Sequence, residues 1–251
     1  MSGTMRVVVK FTVLVLLTLL CMQLHIHFHN PWYKYKLKRI QLMTLLQTII
    51  SYGSLYLYKT YSVSPLWRKI TLTIIGLTHF SFFAQYIFVY DNPSLLTTIS
   101  FLGFSVHLFM ILGTVIADIG TFFFIPLTIL ISVQYQKFKL NVVPICAVIL
   151  TLWSYLNTIL PPEHSTVHVP ITGLDPAFNQ LHILHLSDIH VGPTTGKSYI
   201  DWLVEKVNIL NPDLVVISGD LVDSSVKNLK TAVRNLKNLE SKYGTFYCTG
   251  E

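Results

Sequence analysis

Four stretches of this chain, Phe11 to Phe28, Ile40 to Tyr58, Ile70 to Tyr90 and Val142 to Leu160, run without a single Asp, Glu, Lys or Arg. A helix needs roughly 20 apolar residues to cross about 30 Å of hydrocarbon, so each stretch is expected to span a membrane. The first also resembles a signal peptide, because Arg6 and Lys10 precede it, yet no small-x-small cleavage site follows and a span fits better. Between Leu95 and Tyr135 lies an apolar region too long for one crossing, broken by His107, Asp118 and Gly120. It reads either as one span with an overhanging end or as a hairpin turning at Ala117–Gly120. The expectation is a transmembrane region over residues 1–160 with about five spans.

Charge supports that division. Only 12% of the residues are charged, against roughly 25% in a soluble domain. The 18 Lys and Arg and 12 Asp and Glu are unevenly placed: eleven bases and four acids up to residue 180, then seven bases and eight acids. The early bases cluster beside the apolar runs, as Arg6 and Lys10, then Lys34, Lys36, Lys38 and Arg39, then Lys59, Arg68 and Lys69, then Lys137 and Lys139. This is juxtamembrane charge and not a nucleic-acid surface. With five spans, seven of these bases flank the side of the N-terminus and four the other side. That asymmetry puts the N-terminus in the cytoplasm and the C-terminal domain in an exoplasmic or lumenal space. Cys21, Cys146 and Cys248 form no framework.

Polar residues inside the apolar runs have two readings each. Asp118 at membrane depth marks an ion or proton path or sits at a turn or helix end, and the second is the simpler. It has no obvious cationic partner in the sequence. His79 and His107 are read the same way. His25, His27 and His29 alternate, which suits an extended interfacial cluster better than a helix end or a metal site.

Residues 161–180 break the pattern. Four prolines and a glycine between Pro161 and Phe178 make a linker of extended and turn character. Beyond it the periodicity becomes that of a soluble α/β protein. Leu181 to Leu186 reads as a buried strand ending in Ser187-Asp188-Ile189-His190. A helix follows with Ile200, Leu203, Val204, Val207 and Leu210 on one face, opened by Ser198 and Asp201 in a capping-box variant and ended near Pro212. Leu214 to Ile217 is a second strand, stopping at Ser218-Gly219-Asp220. A second helix carries Val226, Leu229, Val233, Leu236 and Leu239, with Lys227, Lys230, Arg234 and Lys237 on its solvated face. After Gly244 comes a third strand. The order β-α-β-α-β implies parallel strands whose ends face one way.

Ligands of open α/β sheets bind at that common edge. Asp188 and His190, two apart, can turn toward one point, and Asp220 arrives from the neighbouring strand. Two carboxylates and an imidazole form a hard, oxygen-rich metal site suited to Mn, Fe or Zn. Gly219 lets the backbone approach closely just before Asp220. The alternative is an incidental acidic crevice. His182 and His185, on alternate strand faces, read as packed. Gly192 to Ser198 is one residue short of a phosphate-binding P-loop, and the strand end before it is already occupied.

Residues 181–250, with HLSDIH and ISGDLVD in full, resemble the N-terminal half of a calcineurin-like metallophosphoesterase domain, and the spans ahead of it resemble those of membrane-tethered members. The resemblance implies that Asp188 and His190 bind one divalent metal, that Asp220 bridges two, and that Asp223 supports the site beside Gly219. It implies a phosphoester substrate. It also implies a third motif, of which the sequence has Thr249 and Gly250 before Glu251. The asparagine ligand, the histidine that assists the leaving group and the later histidine ligands are then missing, so no catalytic residue is assigned and the chain is expected to be an inactive fragment or shortened isoform. The fold class that results is a multispan α-helical membrane bundle followed by a partial α/β metallophosphoesterase domain, held in the membrane by lipid contact, with no nucleic-acid partner. A non-enzymatic multispan membrane protein, acting as an interaction or regulatory module, is the alternative; a transporter or channel ranks third.

Overall fold

The computed structural model describes residues 3–27, 31–87, 92–123, 125–160, 162–192, 194–223 and 226–249. The first part is helical: α1 (Gly3–His27), α2 (Pro31–Tyr61), α3 (Pro65–Ile87), α4 (Leu95–Phe123) and α5 (Ile125–Ile159). Helix starts follow local chemistry. Ser64 Oγ accepts from the Trp67 amide at 3.2 Å and Pro65 fills the first helical position; Ser94 Oγ accepts from the Thr97 amide at 3.1 Å. These are the residue types that satisfy the orphan amides of a helix start.

Three expectations change here. The helix α4 continues straight through Ala117–Gly120, so no hairpin turns there, and Val142 to Leu160 is the far part of a helix that begins at Ile125. His25 and His27 lie in α1, not in an extended segment, and His29 lies outside the described residues. Among the described residues two helical stretches are long and apolar enough to cross a membrane, Leu95–Thr121 and Tyr135–Ile159, with a shorter apolar stretch at Val9–Gln23.

The chain forms two compact units, Met1–Ile75 with His107–Ile145, and Gly76–Val106 with Cys146–Glu251. In the first, polar groups join helices. Ser54 Oγ and His107 Nε2 are 3.0 Å apart, Tyr61 OH and Thr114 Oγ1 are 3.0 Å apart, and all four residues are buried. Lys139 Nζ donates to Asp118 Oδ1 at 2.7 Å, and Tyr56 OH donates to the other oxygen of the same carboxylate. Asp118 therefore has a cationic partner, on the next helix. Gly113 admits the Val143 side chain, which would stand 2.9 Å from a Cβ there. Small residues and interhelical hydrogen bonds are how helices associate where apolar surface alone gives no preference.

In the second unit, α3 and α4 meet through Phe82 and Phe104, edge to face at 5.6 Å, and through Gly103, which leaves room for Leu77. After the linker come β1 (Ile183–Ser187), α6 (Lys197–Leu210), β2 (Leu214–Ser218), α7 (Val226–Val233), a 3-10 turn at Arg234–Asn238, and β3 (Thr245–Cys248). The strands are parallel in the order β1-β2-β3, with Ser187 opposite Ser218 and Ser218 opposite Cys248. Ile200, Leu203, Val204 and Val207 of α6 and Leu229 and Ala232 of α7 pack on Val215 and Ile217 of β2.

Two local details depart from expectation. The α6 helix opens on Gly196 with no side-chain cap, because Asp201 is held by Lys197 and by Asn235 instead of reaching back. It ends at Leu210, with Asn211 in the left-handed conformation just before Pro212, and Leu210 is exposed. His182 and His185 are exposed rather than packed, since the face of β1 that carries His185 has no covering layer among the described residues.

Candidate metal centre

Beyond β1 the backbone alternates in function. Ile189 and Val191 are buried in the core, while Asp188 and His190 between and beside them are exposed. The buried pair pins the segment, and the other two side chains are thereby turned outward on one side. Three amides lock this loop to the one after β2: His190 N–H to Asp220 O, Val191 N–H to Leu221 O, and Asp223 N–H to Val191 O, each 2.9 Å. A parallel bridge joins Val191 to Val222. Asp220 is thereby brought beside Asp188 and His190, and Gly219 N–H donates to Cys248 O at 2.9 Å on the third strand.

Asp188, His190 and Asp220 all adopt positive φ, at 54°, 49° and 43°, next to Gly219 at 75°. Left-handed backbone is uncommon for residues with a Cβ and costs energy that surrounding structure must hold in place. Here the interloop amides hold it. The three side chains offer ligand atoms that all lie within 4.8 Å of one another, and all three are solvent-accessible.

The imidazole is further oriented. His190 Nδ1 and Asp223 Oδ1 are 2.6 Å apart, and Nε2 lies 3.9 Å from Asp188 Oδ1. The hydrogen bond that His190 donates to Asp223, with the Asp220 and Asp188 carboxylates nearby, raises the His190 pKa above its ordinary value. A carboxylate on the far nitrogen fixes the tautomer of a metal-ligating histidine and leaves the other nitrogen to the ion. The donor set fits a divalent ion: two carboxylates, one imidazole with Nε2 outward, and gaps wide enough for bonds of about 2.0–2.2 Å on either side.

Asp188, His190, Asp220, Gly219 and Asp223 thus lie in one strand-end cluster. Gly192 entered the sequence reading only as the first glycine of an incomplete P-loop; a Cβ there would stand 2.9 Å from Asp223 Cβ, so glycine leaves the room Asp223 occupies. Nothing in the spacing signals this, because it depends on two loops meeting. The third motif at Gly250 and Glu251 lies outside the described residues.

Residues 181–250 match the family described as calcineurin-like phosphoesterase. The chain is 31% identical over 244 residues to a transmembrane protein with metallophosphoesterase domain from Bos taurus, covering 84% of this chain and 52% of that protein. A protein of the same name from Danio rerio is 30% identical over 229 residues, with the same coverage. A metallophosphoesterase from Helicobacter pylori is 44% identical over 77 residues, 31% of this chain and 21% of its own length. The chain spans about half the length of the first two relatives. No solved structure matches it at a significant level.

Proposed function

Because the C-terminal domain, residues 181–250, belongs to the calcineurin-like phosphoesterase family, we propose that the chain serves a membrane-anchored, metal-dependent phosphohydrolase. In this reading Asp188, His190 and Asp220 hold the metal and Asp223 positions His190. The observation that carries it is the convergence of those three side chains within 4.8 Å at the ends of two parallel strands. When bound, divalent ions of the Mn, Fe or Zn kind activate a water and neutralise charge on the phosphoryl oxygens. The residues of this chain supply the rest. Asp223 accepts a hydrogen bond from Nδ1–H, which would leave Nε2 to the ion, and the interloop amides keep Asp220 beside Asp188 and His190. In the hydrolysis, a water oxygen forms the new P–O bond, the ester P–O bond breaks, and the proton of water ends on the leaving alcohol.

Membrane anchoring is read as multi-pass, with α1 to α5 as five crossings. The helices favour this by their surfaces. Polar Ser54, Thr78, Thr97, His107 and Thr114 are buried, while Leu112, Ile116, Ile149, Leu152 and Trp153 are exposed. The two longest apolar stretches are only 28% and 11% buried, the reverse of a soluble core helix. Five crossings and the excess of bases beside the N-terminal side favour an exoplasmic or lumenal C-terminal domain.

The reading predicts metal-dependent hydrolysis of an activated aryl phosphate, lost in Asp220→Asn, by a protein that carries these residues together with the asparagine and histidine motifs of the family, assayed in detergent or nanodiscs. Hydrolysis that persists unchanged in Asp220→Asn would sink it. A second reading, a non-enzymatic interaction module, draws on β3, whose four residues are all exposed; a stable complex purified from cells without bound metal would favour it.

A further inference from the structure

Asn92, between α3 and α4, reaches the start of α6. Asn92 Oδ1 accepts from both the amide and the hydroxyl of Ser198, each at 3.0 Å. The α6 helix opens on Gly196 and has no cap of its own, so a residue 106 positions earlier satisfies its first turn. An acceptor on these amides is what a side-chain cap ordinarily supplies.

In the five-crossing reading, that contact sets which edge of the sheet faces the bilayer. Asn92 precedes Leu95, the first residue of a stretch long and apolar enough to cross a bilayer, and the second such stretch ends at Ile159, just before the linker. Two successive crossings return the chain to the side where they began, so Asn92 and the α/β layer share one side. In a β-α unit the helix starts at the carboxyl edge of the sheet. Ser198 therefore lies at the edge that bears Asp188, His190 and Asp220. The linker adds an independent sign. Val167, Val169 and Ile171, alternate in sequence, are 76%, 70% and 59% exposed. Exposed apolar side chains between α5 and the α/β layer, uncovered among the described residues, suit a lipid interface.

We propose that the site takes a phosphoester carried on a membrane lipid, met at the bilayer surface, and not a freely diffusing one. This rests on the metallophosphoesterase reading above. Asn92 is a positioning residue: it holds the loop between β1 and α6, and with it the metal-binding edge, at the headgroup layer. Hydrolysis there breaks the P–O bond to the lipid alcohol, which takes the proton of water and stays in the bilayer, while phosphate leaves into solution.

The test uses the full chain in phosphatidylcholine nanodiscs containing a minority of phosphatidic acid, with water-soluble glycerol phosphate added. Mn2+ binding is measured by electron paramagnetic resonance, and the broadening of each ester by bound Mn2+ is read by phosphorus NMR against Asp188→Asn as the baseline. The wild type is expected to bind Mn2+ and to broaden the lipid phosphorus several-fold more than the soluble one. Asn92→Ala should bind Mn2+ equally but lose that preference, and Asn92→Asp, whose carboxylate accepts the same two bonds, should keep it. Bound Mn2+ that broadens both esters alike in the wild type, or only the soluble one, overturns the lipid proposal and leaves the metal site standing. A wild type that binds no more Mn2+ than Asp188→Asn overturns both.

Discussion

His190 is presented by two devices acting on one ring. Buried Ile189 and Val191 turn its side chain outward, and Asp223 at 2.6 Å holds Nδ1. Removing the second device tests its role: Asp223→Asn should weaken Mn2+ binding roughly 10–100-fold, the usual loss when the group orienting a ligating histidine is changed. Calorimetric titration of the variant against the wild type reads this, and equal affinities would assign Asp223 to solvent. The strand-end residues themselves are legible in the sequence because apolar runs stop abruptly at Asp188 and Asp220, and a stop in such a run marks the sheet edge. The hydrogen bond from His190 Nδ1–H to Asp223 joins residues 33 apart and exists only because two loops are zipped together, so no spacing announces it. His182 and His185 illustrate the converse. Their pattern says strand, but whether they are packed depends on what covers that face of the sheet, which is not local information.

At the scale of elements, length and apolar character give the helices, while polar partners decide where they stop. Asp118 and Gly120 look like a turn in one dimension. In the folded chain Lys139 and Tyr56 satisfy the carboxylate, so α4 has no need to break there. Lys139, which reads as a juxtamembrane charge, has a side chain only 7% exposed. Lys139→Met should destabilise the helical region by about 1–3 kcal/mol, since it leaves a carboxylate without its charged partner, and nearer the lower value because Asp118 retains 40% exposure. Lys139→Met combined with Asp118→Asn should cost less than the two single changes added together, with a coupling of about 0.5 kcal/mol or more. Thermal unfolding followed by helical circular dichroism measures the cycle; strict additivity would mean that the pair contributes nothing. The capping box expected at Ser198 fails for a similar reason. Asp201 has better partners in Lys197 and Asn235, and the vacated role falls to Asn92.

Across the whole molecule, two kinds of surface are built from one chain. Its helices bury polar side chains and expose leucine and isoleucine, and its sheet buries valine and isoleucine under helices while turning carboxylates outward. Between the end of α5 at Ile159 and the start of β1 at Ile183 the described residues form only a short 3-10 turn, Pro176–Phe178. What composition leaves open is how the sheet edge relates to the segment between α3 and α4, because that depends on a pair of hydrogen bonds between Asn92 and Ser198. The central claim is the metal centre, and calorimetric titration of the full chain in nanodiscs with Mn2+ tests it most directly. The account predicts saturable binding by the wild type that is abolished in both Asp188→Asn and Asp220→Asn, with the helical content of the two variants unchanged. Binding by those variants equal to that of the wild type would contradict it.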